Sequence, residues 1–387
     1  MRVALVHPEF HLGGSLARDR VLLARELARR GHDVHVYASP ARRSLEAAGV
    51  TFHDVRVPVR SDGRFTYPLE HLAFARAATR RLRVERRAYD VVDVSGTAAW
   101  EHDVVRVHAV QLAEQRRWPE EAGRLYRAPR LRAAVAPASH PIVGVARGLE
   151  RLQFRPGRYR EAVAVSEQVA DDLVRVHGVA RDRISVVPYP IDLERFRNLA
   201  PNGFRARLGV GDARLLLFVG HDFERKGLGE AIAALTGLPE VHLAVVGNGP
   251  KYEFEAAARR AGVAGRVHFV GGTEEPERLF AEADVFLLPT RNDVWGIAIL
   301  EALAAGVPVV TTEAAGAAPV VRASGAGVVL ADGDPAGIRA ALAPLLGDEK
   351  RRREAGSRGP TAAAAFGVEA FADATVQVYE RVVRERG

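Results

Sequence analysis

A chain of 387 residues is long for one domain and comfortable for two, and 48% hydrophobic with 27% charged residues is ordinary for a soluble globular protein. It has no cysteine, which excludes disulfides, thiolate metal sites and a cysteine nucleophile and fits a reducing, cytoplasmic setting; no run approaches the ~20 apolar residues that span a bilayer, and Val3–Val6 is too short for a signal-peptide core. The formal charge of +7 is lopsided: an arginine-rich patch over 122–160, with Glu150 its one acid, suits an anionic acceptor or the headgroups of a membrane surface, whereas 7% aromatic content and the lack of a nucleic-acid motif argue against nucleic acid.

The opening alternates strand and helix. Arg2–Val6 predicts a strand, His11-Leu12-Gly13-Gly14 a glycine turn, and Ser15 or a neighbour the cap of a helix through Arg30, with Leu16, Leu22, Leu23 and Leu27 at helical spacing. Gly31 stops that helix and Val34–Tyr37 predicts the second strand. This β-α-β opening implies a parallel sheet covered by helices. Strands follow at Val50–Val57 and Val91–Val94, with a longer helix over 69–87. Residues 128–146, broken by Pro129, Pro137 and Pro141, read as irregular: a lid, an acceptor loop, a surface dipping into a membrane interface, or a plain loop. Ala162–Ser166 predicts a strand, with Ser166 capping a helix through His177. Ile184–Val187 then leads into Pro188-Tyr189-Pro190-Ile191-Asp192, whose prolines stiffen a connector. The second half repeats the pattern, with strands at Leu215–Val219, Val241–Val246, Val267–Val270, Val285–Leu288 and Val307–Thr311. Its helices are expected at 228–235, 252–261, 276–282, after Asp293, at 335–346 and at 367–384. The fold class is α/β, two Rossmann-like domains facing one another across a cleft. The boundaries expected are 1–188 and 189–366, with 367–387 a C-terminal helix packing back on the N-terminal domain.

Gly220 to Gly227 stands where a parallel strand ends and a helix begins, the edge at which open α/β sheets bind ligands. Backbone amides there favour phosphate, and Lys226, one of only three lysines, adds a point charge; Arg225 adds another. The plain alternative is an exposed basic turn. Glu301 is the lone charge in Ile297-Ala298-Ile299-Leu300-Glu301-Ala302-Leu303-Ala304-Ala305, a helix closed by Gly306 and Pro308. A carboxylate on so apolar a helix is costly to bury without partners, and vicinal ribose hydroxyls would serve; otherwise it marks a solvent-facing stripe. Asp293 either accepts from sugar hydroxyls, with the amides of Val294, Trp295, Gly296 and Ile297 facing sugar or phosphate, or caps the helix. His108, after Val105-Arg106-Val107, is a ligand-facing or a packed histidine. Gly13-Gly14 lets amides approach an anion or is a tight turn only. His11 and Asp19 are candidate acceptor contacts, Asp19 equally one half of an ion pair on the helix surface. Asp332-Gly333-Asp334 mimics a metal-binding Asp-x-Asp, but Pro335 follows, so Asp334 reads as a helix N-cap. Lys350-Arg351-Arg352-Arg353 reads as a solvated helix end.

Together these motifs resemble those of the retaining, nucleotide-sugar-dependent glycosyltransferases of family 4, whose fold is GT-B. The family pattern of a strand-glycine turn ending in Lys-Gly is matched by Gly220 and Lys226-Gly227. Its Gly-x-Gly-Pro is matched by Gly247-Asn248-Gly249-Pro250, its two acids eight apart by Asp293 and Glu301, and its Pro-x-Asp-x-x-x-Phe connector by Pro190, Asp192 and Phe196. Two positions depart from it: the first acid is Asp293 rather than Glu, and His221 stands where many members carry Arg. The 220–227 turn and Leu149-Glu150-Arg151-Leu152-Gln153-Phe154 are similar to the family's lipopolysaccharide-core glucosyltransferases.

The resemblance implies transfer of a hexose from a nucleoside-diphosphate sugar, UDP-sugar favoured, to a hydroxyl of a glycan, lipid-linked or secondary-metabolite acceptor. It implies retention at the anomeric carbon and no cofactor or metal, with Lys226 and Arg225 in the metal's place. It further implies Glu301 on the ribose, Asp293 and His108 on the donor sugar, and Gly13, Gly14, Gly247, Asn248, Gly249 and Val294 to Ile297 about the rest of the donor. The N-terminal domain would bind the acceptor and the C-terminal domain the nucleotide sugar, in a cytoplasmic protein that is either free or peripheral to the inner face of the membrane. A non-catalytic nucleotide-sugar-binding protein would carry the same motifs. A nicotinamide oxidoreductase needs Gly-x-Gly-x-x-Gly after the first strand, which His11-Leu12-Gly13-Gly14-Ser15 lacks.

Overall fold

The computed structural model describes residues 1–12, 15–40, 43, 47–57, 67–114, 117, 148–155, 157–273 and 275–386. The irregular stretch expected at 128–146, much of the arginine patch and the Gly13-Gly14 turn lie outside them. The chain forms two compact units, Met1–Tyr189 with Val368–Gly387, and Pro190–Gly367.

The first unit holds a seven-stranded sheet ordered β3-β2-β1-β4-β5-β6-β7. Its strands are β1 Arg2–Val6, β2 Asp33–Ala38, β3 Val50–Asp54, β4 Val91–Ser95, β5 Val104–Val107, β6 Glu161–Ala164 and β7 Ile184–Val186, and every pairing is parallel. Helices on both faces explain the near-continuous apolar runs: β4, β5 and β6 are buried at every position. The Ser15–Arg29 helix sends Val21, Leu23, Ala24 and Leu27 into the core over β1 and β2. The C-terminal Val368–Arg384 helix adds Phe371, Ala372, Val378, Tyr379 and Val382 to that same core, at the three- and four-residue spacing of one helix face. Each of the larger apolar side chains among them, such as Phe371, Val378 and Val382, contributes about 2 kcal/mol on burial.

The second unit holds a six-stranded, wholly parallel sheet ordered β10-β9-β8-β11-β12-β13. Its strands are β8 Arg214–Val219, β9 Val241–Val246, β10 Val267–Gly271, β11 Val285–Leu288, β12 Val309–Thr312 and β13 Gly327–Leu330. In both sheets the order reverses beside the first strand of the unit, between β1 and β4 and between β8 and β11, which creates a crevice at the carboxyl edge.

Several elements escaped the sequence reading, three of them instructive. β13 opens on a glycine and is only half-buried, so it carries a weak strand signal. The Ala318–Ser324 helix is short. Lys350 to Arg353 begins a helix rather than ending one: Glu349–Ala364 contains Gly356, Gly359 and Pro360, all poor helix residues. Packing decides it, because those glycines lie against the backbone of Gly306 and Leu303, where a Cβ would come within 2.2 and 2.4 Å of a carbonyl oxygen. Asp334 does cap its helix, accepting from Gly337 N at 3.0 Å ahead of Pro335.

Candidate active site

In the second unit the loops after β8, β9 and β11 meet at the switch point. Gly220 follows β8, and a Cβ there would stand 2.2 Å from Cδ of Lys226. Glycine is therefore what lets the lysine stem lie across the strand end. Gly247, after β9, has φ +133° and comes so close to the Gly220 carbonyl that a Cβ would sit 1.9 Å from its oxygen. The two loops are also tied through side chains. Asn248 N donates to His221 Nδ1 at 3.1 Å, and Asn248 Oδ1 accepts from Gly272 N at 3.0 Å.

Lys226 Nζ donates to Asp293 Oδ2 at 2.7 Å, with the two side chains 14% and 11% exposed. Burial pushes the Asp293 carboxyl up, but the Lys226 and Arg225 cations outweigh it and hold the group below the usual carboxylate range. Asp293 is thus an anion locked to a cation. It is not the helix cap: the helix is Ile297–Ala304 and its N-cap is Gly296. Arg225 is fixed by Asp222, Nε to Oδ2 at 3.0 Å, and by the Asn292 carbonyl. The Asp293 backbone is held by Ala314 O and Gly316 N, at 2.9 and 2.8 Å. Trp295 is buried, and its ring centroid lies 5.4 Å from that of Phe366. Glu301 is 7% exposed in the middle of its apolar helix, so it does not mark a solvent-facing stripe. Val294 and Ile297 keep partial exposure on the same turn.

In the first unit the polar groups at the carboxyl edge are His7 after β1, Ser95 at the end of β4 and His108 after β5. His108 Nε2 lies 2.9 Å from Ser95 Oγ, and Nδ1 lies 2.6 Å from the Tyr189 hydroxyl. Burial lowers the His108 pKa to about 3; Arg20, His7 and Arg106 work in the same direction and Asp19 against it. The ring is therefore a neutral hydrogen-bonding group. His71, 3.0 Å from Thr97 Oγ1, is likewise lowered to about 4, mainly by burial.

Beneath this edge lies a buried ionic network. Arg20 contacts Asp19 at 3.2 Å and Asp93 at 3.2 Å, Arg106 lies 3.8 Å from Asp93, and Tyr379 donates to Asp93 at 2.6 Å. Asp19 is 2% exposed, so it belongs to this network rather than to an ion pair on the helix surface. His11, beside the loop after β1, lies 3.6 Å from Glu9. The residues the sequence reading does not single out, Tyr189, His7 and His71, carry no motif: Tyr189 and His7 stand just past the ends of β7 and β1, and His71 lies on the Tyr67–Glu85 helix; His221 enters it only as a departure from the family's turn.

Residues 21–195 match the family described as Glycosyltransferase Family 4, and residues 203–361 the one described as Glycosyl transferases group 1. The chain is 31% identical to the lipopolysaccharide glucosyltransferase WaaG of Escherichia coli, over 82% of each chain. This chain belongs to the family 4 glycosyltransferases. It is also 31% identical to a D-inositol 3-phosphate glycosyltransferase of Xylanimonas cellulosilytica, over 94% of this transferase and 91% of that one. The WaaG crystal structure superposes with a TM-score of 0.75 at 25% identity, covering 97% of this transferase and 99% of that chain, which gives it the GT-B fold. A structure of Anabaena HepE in complex with UDP shares the fold at 17% identity, with a TM-score of 0.70. Among the described residues of the transferase no helix is long and apolar enough to cross a membrane, and no three His, Cys, Asp or Glu side chains cluster as a metal site would need.

Proposed function

We propose that this transferase moves a hexose from a nucleoside diphosphate to an acceptor hydroxyl with retention at the anomeric carbon, and that the Lys226–Asp293 pair is the centre of its donor site. The observation that carries this reading is the pair itself: a cation held 2.7 Å from a buried carboxylate at the switch point of a parallel sheet. As the bond from the anomeric carbon to the diphosphate breaks, the sugar takes on oxocarbenium character and negative charge builds on the leaving group. Lys226 and Arg225, already fixed by Asp293 and Asp222, stabilise that charge without reorganising. They supply the compensation a divalent cation gives elsewhere, so turnover proceeds without a metal. Glu301 accepts from the ribose hydroxyls. Asp293 and the Val294 to Ile297 turn take the sugar hydroxyls, the Gly13-Gly14 and Gly247 to Gly249 loops approach the diphosphate and nucleoside, and the neutral His108 orients the sugar. The acceptor oxygen bonds to the anomeric carbon on the face the diphosphate leaves, and its proton passes to a departing phosphate oxygen.

On this reading residues 1–188 bind the acceptor and 189–366 the donor, and the 367–387 helix belongs with the acceptor half. The relatives' names favour a glucosyl donor and an acceptor built on a lipid-linked glycan or an inositol phosphate. The arginine-rich stretch suits such an anionic acceptor, or the cytoplasmic face of a membrane at which it is held; His11 is the candidate acceptor contact, with Asp19 supporting the edge from below. UDP-hexoses are the first donors to try. Calorimetry against a panel of nucleoside diphosphates and their sugars, with magnesium or EDTA, on the wild type and Glu301→Ala, tests the reading. Metal-independent binding of one diphosphate, lost in the variant, and release of that diphosphate with acceptor supports it. A folded protein that binds none of the panel overturns it.

A further inference from the structure

The chain passes between its units twice, at Tyr189–Pro190 and at Gly367–Val368. The two passages are joined: Ile191 N donates to Phe366 O at 2.8 Å, and Ile191 pairs with Gly367 as an isolated parallel bridge. Each also carries an aromatic ring against a candidate site residue of its own unit. Phe366 lies on Trp295, and Tyr189 lies on His108 with near-parallel rings, 11° apart, at a centroid separation of 5.5 Å. Tyr189 is 5% exposed. Its hydroxyl and that of Ser95 take the two opposite nitrogens of the His108 imidazole.

A phenol is a stronger hydrogen-bond donor than an aliphatic hydroxyl, and the unprotonated imidazole nitrogen is the stronger acceptor on offer. Tyr189 therefore gives its proton to Nδ1, which leaves the ring proton on Nε2, facing Ser95 Oγ. A sugar hydroxyl that takes the place of Ser95 would meet an N–H donor in a fixed plane. We propose that Tyr189 is a positioning residue for the transfer step: from the first passage between the units it sets the tautomer and the ring plane of His108. This rests on the role given to His108 above.

Tyr189→Phe keeps the stacked ring and removes only the hydroxyl. In the full-length protein, 15N NMR of the His108 ring should move from a pure Nε2–H pattern towards a mixture of tautomers. The turnover number should fall about 10-fold, the loss of one well-placed hydrogen bond, with the donor KM within about twofold and Tm nearly unchanged. In a His108→Asn background the same substitution should cost nothing further. Ser95→Ala, which leaves Tyr189 in place, should keep the Nε2–H pattern, and it serves as the readout if Tyr189→Phe fails to fold. An unchanged His108 spectrum in Tyr189→Phe, a shifted tautomer in Ser95→Ala, or an equal loss of turnover with and without His108 would overturn the proposal while leaving the transferase reading intact. A wild-type protein that turns over no donor on the panel takes both down together.

Discussion

Replacing Lys226 by Met keeps the length of the stem that crosses Gly220 and removes only its charge. At 2.7 Å the Lys226–Asp293 attraction is about 6 kcal/mol at an effective dielectric constant of 20. Much of that offsets the desolvation of two nearly buried side chains. Breaking such a pair from one side leaves the carboxylate uncompensated apart from Arg225, and the expected loss of stability is about 3 kcal/mol. Removing both charges, in Lys226→Met/Asp293→Asn, should restore most of that stability. The acid dependence should also change sign. In the wild type the lowered Asp293 pKa gives stability that is complete above the ordinary value near 3.8 and is lost as pH falls through the folded value. In Lys226→Met burial dominates and raises the group above that value, so protonation on acidification relieves the variant. Turnover should not follow stability: both variants should lose about 10²–10³-fold in kcat, because the leaving diphosphate has lost its cation. Urea unfolding followed by tryptophan fluorescence at pH 7 and 4.5, beside diphosphate release, measures both. A double variant that regained turnover along with stability would refute the assignment and make Lys226 a structural partner only.

Glu301→Gln should weaken nucleoside diphosphate binding by at least about 10-fold with little change in Tm, since two hydrogen bonds to a charged acceptor become weaker ones; calorimetry measures it, and unchanged affinity would remove Glu301 from the ribose. Gly247→Ala should cost at least about 2 kcal/mol and donor binding with it, because its Cβ would meet the Gly220 carbonyl in a backbone conformation that suits glycine. His102 is 8% exposed and burial lowers its pKa to about 4. Between pH 6.5 and 4 the unfolded chain takes a proton the folded one refuses at this position, so His102 alone should take about 2 kcal/mol from stability between pH 7 and pH 5, beside what His71 and His108 take in the same direction; urea midpoints should show the fall, and His102→Asn should remove its share of it. Tyr379→Phe should cost about 1–3 kcal/mol, because Asp93 loses a buried hydrogen bond.

Largely apolar runs of five or six residues, followed within two residues by proline or glycine, specify β1, β8 and β9 within a residue at each end, since a parallel strand buried on both faces is mostly apolar. Amphipathic spacing likewise specifies the helices at 15–29 and 368–384. The strand-turn-helix motifs and the two acids eight apart were legible for the same reason: backbone geometry at a strand end depends on a few local residues. Local sequence left other choices open. Asp293 reads equally well as a cap and as a ligand, and only the fold, by bringing it to a lysine 67 residues away, makes it the partner of a cation. Asp19 reads as a surface residue until β4 and the C-terminal helix enclose it with Arg20, Asp93 and Tyr379. The Glu349–Ala364 helix has charges, glycines and a proline that argue against it, and close backbone packing on the 297–304 helix overrides them. Tyr189 belongs to a proline-rich connector in the sequence and to His108 in the structure, 81 residues apart. Periodicity and turn chemistry are local and can be read along the chain; the protonation of a carboxylate or an imidazole depends on which charges and hydroxyls the fold brings within a few ångströms of it, and long-range packing alone decides that.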